Sequence, residues 1–219
     1  MPVKKQFIAG SLMLLSSITV MAHTSIIDLE KMNAAETSWI YLKLGYQHII
    51  PLGLDHILFV LSLFLLTPAI KPVLWQATAF TVAHTITLGL SMYQVIKPNP
   101  AIVEPLIAAS ILYVSLENIF SSKLKAARIG IVFLFGLVHG MGFASALGSL
   151  GLPQRSFLTA LLTFNIGVEL GQITVIAVAY FLLARWFGHK SYYHKLIVNP
   201  LSITIAVIAA IWLVQRLFF

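Results

Sequence analysis

The sequence predicts an all-α polytopic membrane protein, a six-transmembrane-helix bundle following an N-terminal signal peptide. Three observations predict it. Of the 219 residues, 59% are hydrophobic and only 10% are charged, whereas a soluble domain carries about a quarter charged residues. With so little polar surface to cover a globule, lipid must be the solvent. Beyond residue 44 the chain divides into six apolar stretches, each near the roughly 20 residues that a bilayer core demands. Prolines punctuate most joints between them: Pro68 and Pro72, Pro98 and Pro100, and Pro153.

Residues 1–22 read as a secretory signal. Lys4 and Lys5 precede an apolar run from Phe7 to Val20, and Val-Met-Ala supplies a small-residue cleavage site. An uncleaved first helix is the other reading. Cleavage leaves His23 at the new N-terminus, where amine and imidazole together can chelate a metal, although a leftover histidine is the plainer account. Residues 23–44 form a polar extracytoplasmic segment carrying Asp28, Glu30 and Glu36. Residues 45–219 form a single transmembrane domain. Its helices are expected at Gly45 to Leu66, Pro72 to Ile96, Ala101 to Phe120, Ile129 to Leu150, Phe157 to Phe187 and Leu196 to Phe219. The fifth is long enough to tilt or to reach into the cytoplasm. No internal repeat is visible, so an inverted-repeat transporter is not supported.

The loops orient the bundle. "TPAIKP", "SSKLKAAR" and "ARWFGHKSYYHK" together hold seven Lys and Arg, against Lys97 and Arg155 alone in "KPNP" and "LGLPQRS". The basic set belongs on the cytoplasmic side of a bacterial inner membrane, with both mature termini outside. The same topology accounts for the net charge of +7 better than a nucleic-acid patch does, so no nucleic-acid partner is expected. The absence of cysteine removes disulfides, thiolate metal sites, Fe–S clusters and cysteine nucleophiles.

Ionisable groups at bilayer depth cost a few kcal/mol each and mark function. Four acids (Asp55, Glu104, Glu117, Glu169) and four histidines (His48, His56, His84, His139) fall within or beside apolar stretches, with no Lys or Arg deep inside to neutralise the acids. That balance suits an interior that receives cations or protons. At about 100° per residue, His48 and Asp55 lie within about 20° of each other and His56 about 80° from His48. Pro51 and Gly53 invite a break that would bring His48 nearer the Asp-His pair. A plain Asp–His hydrogen bond is the bland alternative. His84, Thr87 and Ser91 make one polar stripe. Glu104, before Pro105, reads as a helix-start acid, with an entrance role second. Glu117 and Asn118 lie near the other end of that helix, as interfacial groups or as relay ligands. Gly136 and Gly140 permit close helix approach that would press His139 against a neighbour. Asn165, Glu169 and Gln172 share one face of the fifth helix, while the sixth reads as scaffold. Nitrogen and oxygen ligands without Cys or a Met-rich run suit nickel, cobalt or zinc and argue against copper(I). Metal binding would offset acid insertion at ~2.5–3.5 kcal/mol each.

At these residues the sequence resembles the HupE/UreJ family of hydrogenase and urease accessory membrane proteins, in its second subfamily. The resemblance rests on "GLDHILFVLSLFLL", "FTVAHTITLGLS", "VEPLIAASI", "FGLVHGMGFA" and "FNIGVELGQ", in order, from Gly45 to Gln172. Members are regarded as nickel or cobalt permeases. The resemblance makes His48, Asp55, His56, His84, His139 and Glu169 the expected metal ligands, with Glu104, Glu117, Asn118, Asn165 and Gln172 as secondary or pathway residues. It implies hydrogenase or urease maturation proteins as partners. Founding members carry H-P-x-x-G-x-D-H; "HIIPLGLDH" has one residue more between His48 and Asp55 and a displaced Pro51, which bears on His48 above all.

The expected function is a membrane permease for a divalent transition-metal ion. There is no GxxxxGK[ST] motif, so energy would come from the membrane potential, a proton gradient or a separate partner. The alternative is an intramembrane zinc-dependent hydrolase, with three histidines holding zinc and Asp55 orienting a water. A third reading is a metal-sensing or assembly subunit that binds without transport.

Overall fold

The computed structural model describes residues 32–121, 124–125, 127–150 and 156–219. The expected signal peptide, its cleavage site, His23 and Arg155 lie outside the described residues. Everything regular among the described residues is helical. We number the helices α1 (Ala34–Ile49), α2 (Leu54–Leu66), α3 (Ile70–Met92), α4 (Pro100–Phe120), α5 (Arg128–Leu150), α6 (Phe157–Phe187) and α7 (His194–Phe218). A π-helical turn at Tyr180–Ala184 interrupts α6, and another at His194–Val198 opens α7.

Among the described residues four helices, α3, α4, α6 and α7, are long and apolar enough to cross a membrane. A fifth crossing is made if α1 and α2 are one broken span, bent by 69°. The described apolar part of α5, Arg128–Ala144, is shorter. The expectation of six spans therefore resolves into four or five by length and composition. Exterior faces are apolar, with Trp75, Ile102, Leu134, Leu158, Ile166 and Ile203 all exposed, as lipid rather than water requires.

The helices begin and end where local chemistry dictates. Asn33 caps α1 with its side chain on Ala35 N and Glu36 N, and Glu36 reaches back to Asn33 N, a complete capping box. That cap starts a helix at Ala34, eleven residues ahead of the expected Gly45. Half of the segment expected to be merely polar is thus an arm packed along α6. Asn99 caps α4, with Pro100 as its first residue.

Two parallel pairs form the frame. In the first, α1 lies on α6: a Cβ at Gly45 would overlap the Phe164 carbonyl, and one at Gly167 would overlap the Leu42 carbonyl. In the second, α3 lies on α5, where a Cβ at Gly140 would overlap the His84 carbonyl and Thr87 Oγ1. This is small-residue packing, which works in lipid because backbones can touch. It holds His139 against its neighbours inside the bundle, as Gly136 and Gly140 led us to expect. Antiparallel to α4, α7 completes the core.

Candidate metal centre

The break between α1 and α2 organises the site. The backbone leaves the helix at Ile50 and resumes at Leu54, and Gly53 sits so close on the His48 carbonyl that no Cβ fits between them. His48, in the last turn of α1, and His56, in the first turns of α2, thereby come together with ring centroids 4.6 Å apart. His84 of α3 faces both, its ring 6.0 Å from each. One ligand nitrogen from each of the three lies within 4.8 Å of the others. Phe143 covers His48 at 3.8 Å between centroids, and Phe80 and Phe164 close the surrounding wall, so the imidazoles sit in an apolar, aromatic chamber.

Hydrogen-bond logic fixes two of the tautomers. Asn165 Nδ2 donates to the Leu161 carbonyl, so its Oδ1 is the atom facing His84 Nδ1 at 3.0 Å. An amide oxygen only accepts; His84 Nδ1 therefore carries the hydrogen, and its lone pair is on Nε2. Ser110 Oγ donates to the Ile107 carbonyl and so accepts from His139 Nε2 at 3.0 Å, which leaves the lone pair of His139 on Nδ1. Those two atoms, with His48 Nε2 and His56 Nε2, are buried and have no hydrogen-bond partner. Buried polar atoms are nearly always satisfied. Four unsatisfied imidazole nitrogens around one chamber are what a coordinating site presents. His139 stands beside the trio, its ring 5.1 Å from His56.

The expected carboxylates take other partners. Asp55 points away from the histidines to Arg216 of α7, Oδ2 to NH2 at 2.8 Å. The same guanidinium lies 3.6 Å from Glu104 Oε2 and donates to the Glu104 carbonyl oxygen. Glu117 pairs with Arg128 at 3.2 Å, and Asn118 Oδ1 accepts from both terminal nitrogens of Arg128. The expectation that no basic residue neutralises the acids is thus corrected: Arg216 and Arg128 fold in from the ends of α7 and α5. Glu169 differs, accepting from the hydroxyls of Thr78 (2.7 Å) and Thr81. Gln172 is fully buried, with neither amide atom partnered. The stripe expected on α3 divides, because Thr87 donates to the Leu137 carbonyl and locks α3 to α5.

Sequence reasoning missed Arg216, Arg128 and the two threonines. One signal was available. Arg216 lies at the end of a helix that loop charges direct away from the basic side, where an arginine needs a reason.

No curated protein and no solved structure matches the chain. A family model described as HupE/UreJ protein matches residues 23–216, which takes in every site residue described above and all but the last two residues of α7. The chain belongs to the HupE/UreJ family.

Proposed function

We propose that this protein is a permease for a divalent transition-metal ion, nickel or cobalt first, in the bacterial inner membrane. The single observation that carries the reading is the His48–His56–His84 cluster, whose ligand atoms lie within 4.8 Å and whose Nε2 atoms have no partner. Around a bound ion at metal–nitrogen distances of about 2.0–2.1 Å, imidazole nitrogens stand roughly 3.3–3.6 Å apart. The three nitrogens here, within 4.8 Å of one another, are close enough to converge on one ion. Nitrogen ligands with carboxylates nearby favour borderline divalent ions.

In this reading α5 and the broken α1–α2 unit also cross the bilayer, giving six spans after a signal peptide, with both mature ends outside. The ion enters past Glu104 and Asp55, is held by His48, His56 and His84 with His139 alongside, and leaves along Asn165, Glu169 and Gln172 towards Glu117 and Asn118. Hydrogenase or urease maturation proteins would receive it. The hydrolase alternative needs a carboxylate free to orient a water beside the metal, and Asp55 is instead engaged by Arg216.

The test is time-resolved uptake of nickel, cobalt and zinc into proteoliposomes, wild type against His56→Ala. Saturable uptake lost in the variant supports the permease. Stoichiometric binding without flux transfers the site to the hydrolase or sensor reading.

A further inference from the structure

Among the described residues Arg216 is the one basic side chain that engages two acids at the Glu104 end of the bundle. It donates to Asp55 Oδ2 at 2.8 Å and to the Glu104 carbonyl at 3.2 Å, and its Nε lies 3.6 Å from Glu104 Oε2. The pair is not sealed: Arg216 is 22% and Asp55 24% exposed, and Glu104 is 45% exposed. The guanidinium also lies over the Trp212 ring at 5.5 Å, one turn back on its own helix, where a cation retains a favourable contact when it leaves the acids. Asp55 adjoins His56 in sequence, so this carboxylate sits on the same first turn of α2 that carries one of the three clustered histidines.

We propose that Arg216 is a tethered cation that occupies the Asp55–Glu104 acids until a divalent ion displaces it, and that this exchange sets the preference for divalent over monovalent ions. The inference rests on the permease reading for its direction of traffic, but the exchange itself is a binding property. The physical argument is one of charge. Two carboxylates and one guanidinium carry a net single negative charge, with the guanidinium held by directional, charge-assisted hydrogen bonds. A sodium ion brings the same unit charge without those bonds and gains nothing by displacing it. A divalent ion brings twice the charge, leaves the acids neutral and sends the guanidinium to the Trp212 face and the water. Arg216 is in this account a positioning and selectivity residue, not a ligand.

The experiment measures nickel chloride binding to the purified full-length protein by calorimetry, with nickel uptake in proteoliposomes alongside. Each is done with 100 mM sodium chloride and with choline chloride at the same ionic strength, about the concentration at which screening is already strong. Wild type should bind nickel equally in the two salts. Arg216→Gln should bind about two- to fivefold tighter in choline, the order expected for loss of one competing, partly exposed ion pair. That gain should shrink in sodium, because the vacated acids now accept it. The half-saturating nickel concentration for uptake should fall in parallel, with a lower maximal rate. A merely structural arginine produces no sodium-specific competition. Equal nickel affinity in wild type and variant, or a variant indifferent to sodium, overturns the proposal. Should Arg216→Gln fail to fold, Arg216→Lys decides. Its compact ammonium lacks the planar fork, so tighter nickel binding than wild type supports the exchange and unchanged or weaker binding overturns it. Wild-type liposomes that show no flux would defeat the permease reading alone, since the binding measurements still decide the role of Arg216.

Discussion

Asn165 gives the most direct test of the histidine chemistry. Its amide does two things at once: Nδ2 is anchored on the Leu161 carbonyl at 2.8 Å, and Oδ1 receives the hydrogen of His84 Nδ1 at 3.0 Å. The second bond fixes the His84 tautomer and ring plane, so that the Nε2 lone pair faces His48 and His56. Asn165→Ala removes the acceptor while leaving the helix intact. Stability should fall by about 1–3 kcal/mol, the penalty for leaving one buried donor unpaired. Redistribution between two tautomers would by itself halve the competent fraction, a loss of only about twofold in affinity. Loss of an orienting partner of a metal-binding histidine costs about 10–100-fold, which is about 1.4–2.7 kcal/mol. Calorimetric nickel titration of the full-length variant in detergent, with its thermal midpoint, separates these contributions. A tenfold or larger loss means that orientation dominates. A variant that binds nickel as the wild type does, at the same thermal midpoint, would refute the inference that this amide prepares His84 for a metal.

Two further expectations concern the other polar groups. Glu117→Gln leaves the Arg128 guanidinium, 1% exposed, with only neutral partners, and should cost about 3–5 kcal/mol in equilibrium unfolding; adding Arg128→Met should recover most of it. Gln172→Leu replaces an amide with no hydrogen-bond partner by an apolar side chain, so it should stabilise the fold by about 1–3 kcal/mol while nickel uptake falls. A variant neither more stable nor slower in uptake removes Gln172 from the pathway.

Much of the bundle was legible because apolar length and proline position are one-dimensional signals. The stretch expected at Phe157 to Phe187 is the helix found there, and the expected Ala101 to Phe120 begins one residue earlier, at Pro100. The break at Pro51–Gly53 was visible as a proline and a glycine inside an apolar run. The helix from Ala34 was not foreseen, although its Asn-Ala-Ala-Glu cap is written in the sequence; the polarity of residues 34–43 outweighed it. At the site, residue types were legible and partners were not. Helical periodicity places His48, His56 and Asp55 near one face, yet it does not say what the next helix offers. Arg216, 161 positions from Asp55, claims that carboxylate, and the histidines are left to one another. Close packing at Gly140 and Gly167, which sets the helix order, likewise depends on pairings that no single-segment pattern encodes.

The distribution of partners among the acids gives the bundle an electrical order along its length. At one end Asp55 and Glu104 share Arg216; at the other Glu117 meets Arg128. The Glu117 end is therefore compensated and can remain in a low-dielectric surround, whereas the Asp55–Glu104 end keeps one net negative charge and is partly exposed. Between them Glu169 is held by the hydroxyls of Thr78 and Thr81, which satisfy its oxygens without cancelling its charge. Glu169 is one helical turn from Asn165, and Thr81 is three residues from His84, so the carboxylate lies a turn away from the imidazole trio. A dication among neutral imidazoles brings a charge that those rings cannot balance. An uncompensated carboxylate one turn away supplies part of that balance through space, and it does so without a ligand bond that would hold the ion. In the permease reading proposed above, neutral nitrogen ligands and a nearby anion held by exchangeable donors would attract an ion to the centre without adding a carboxylate bond to it.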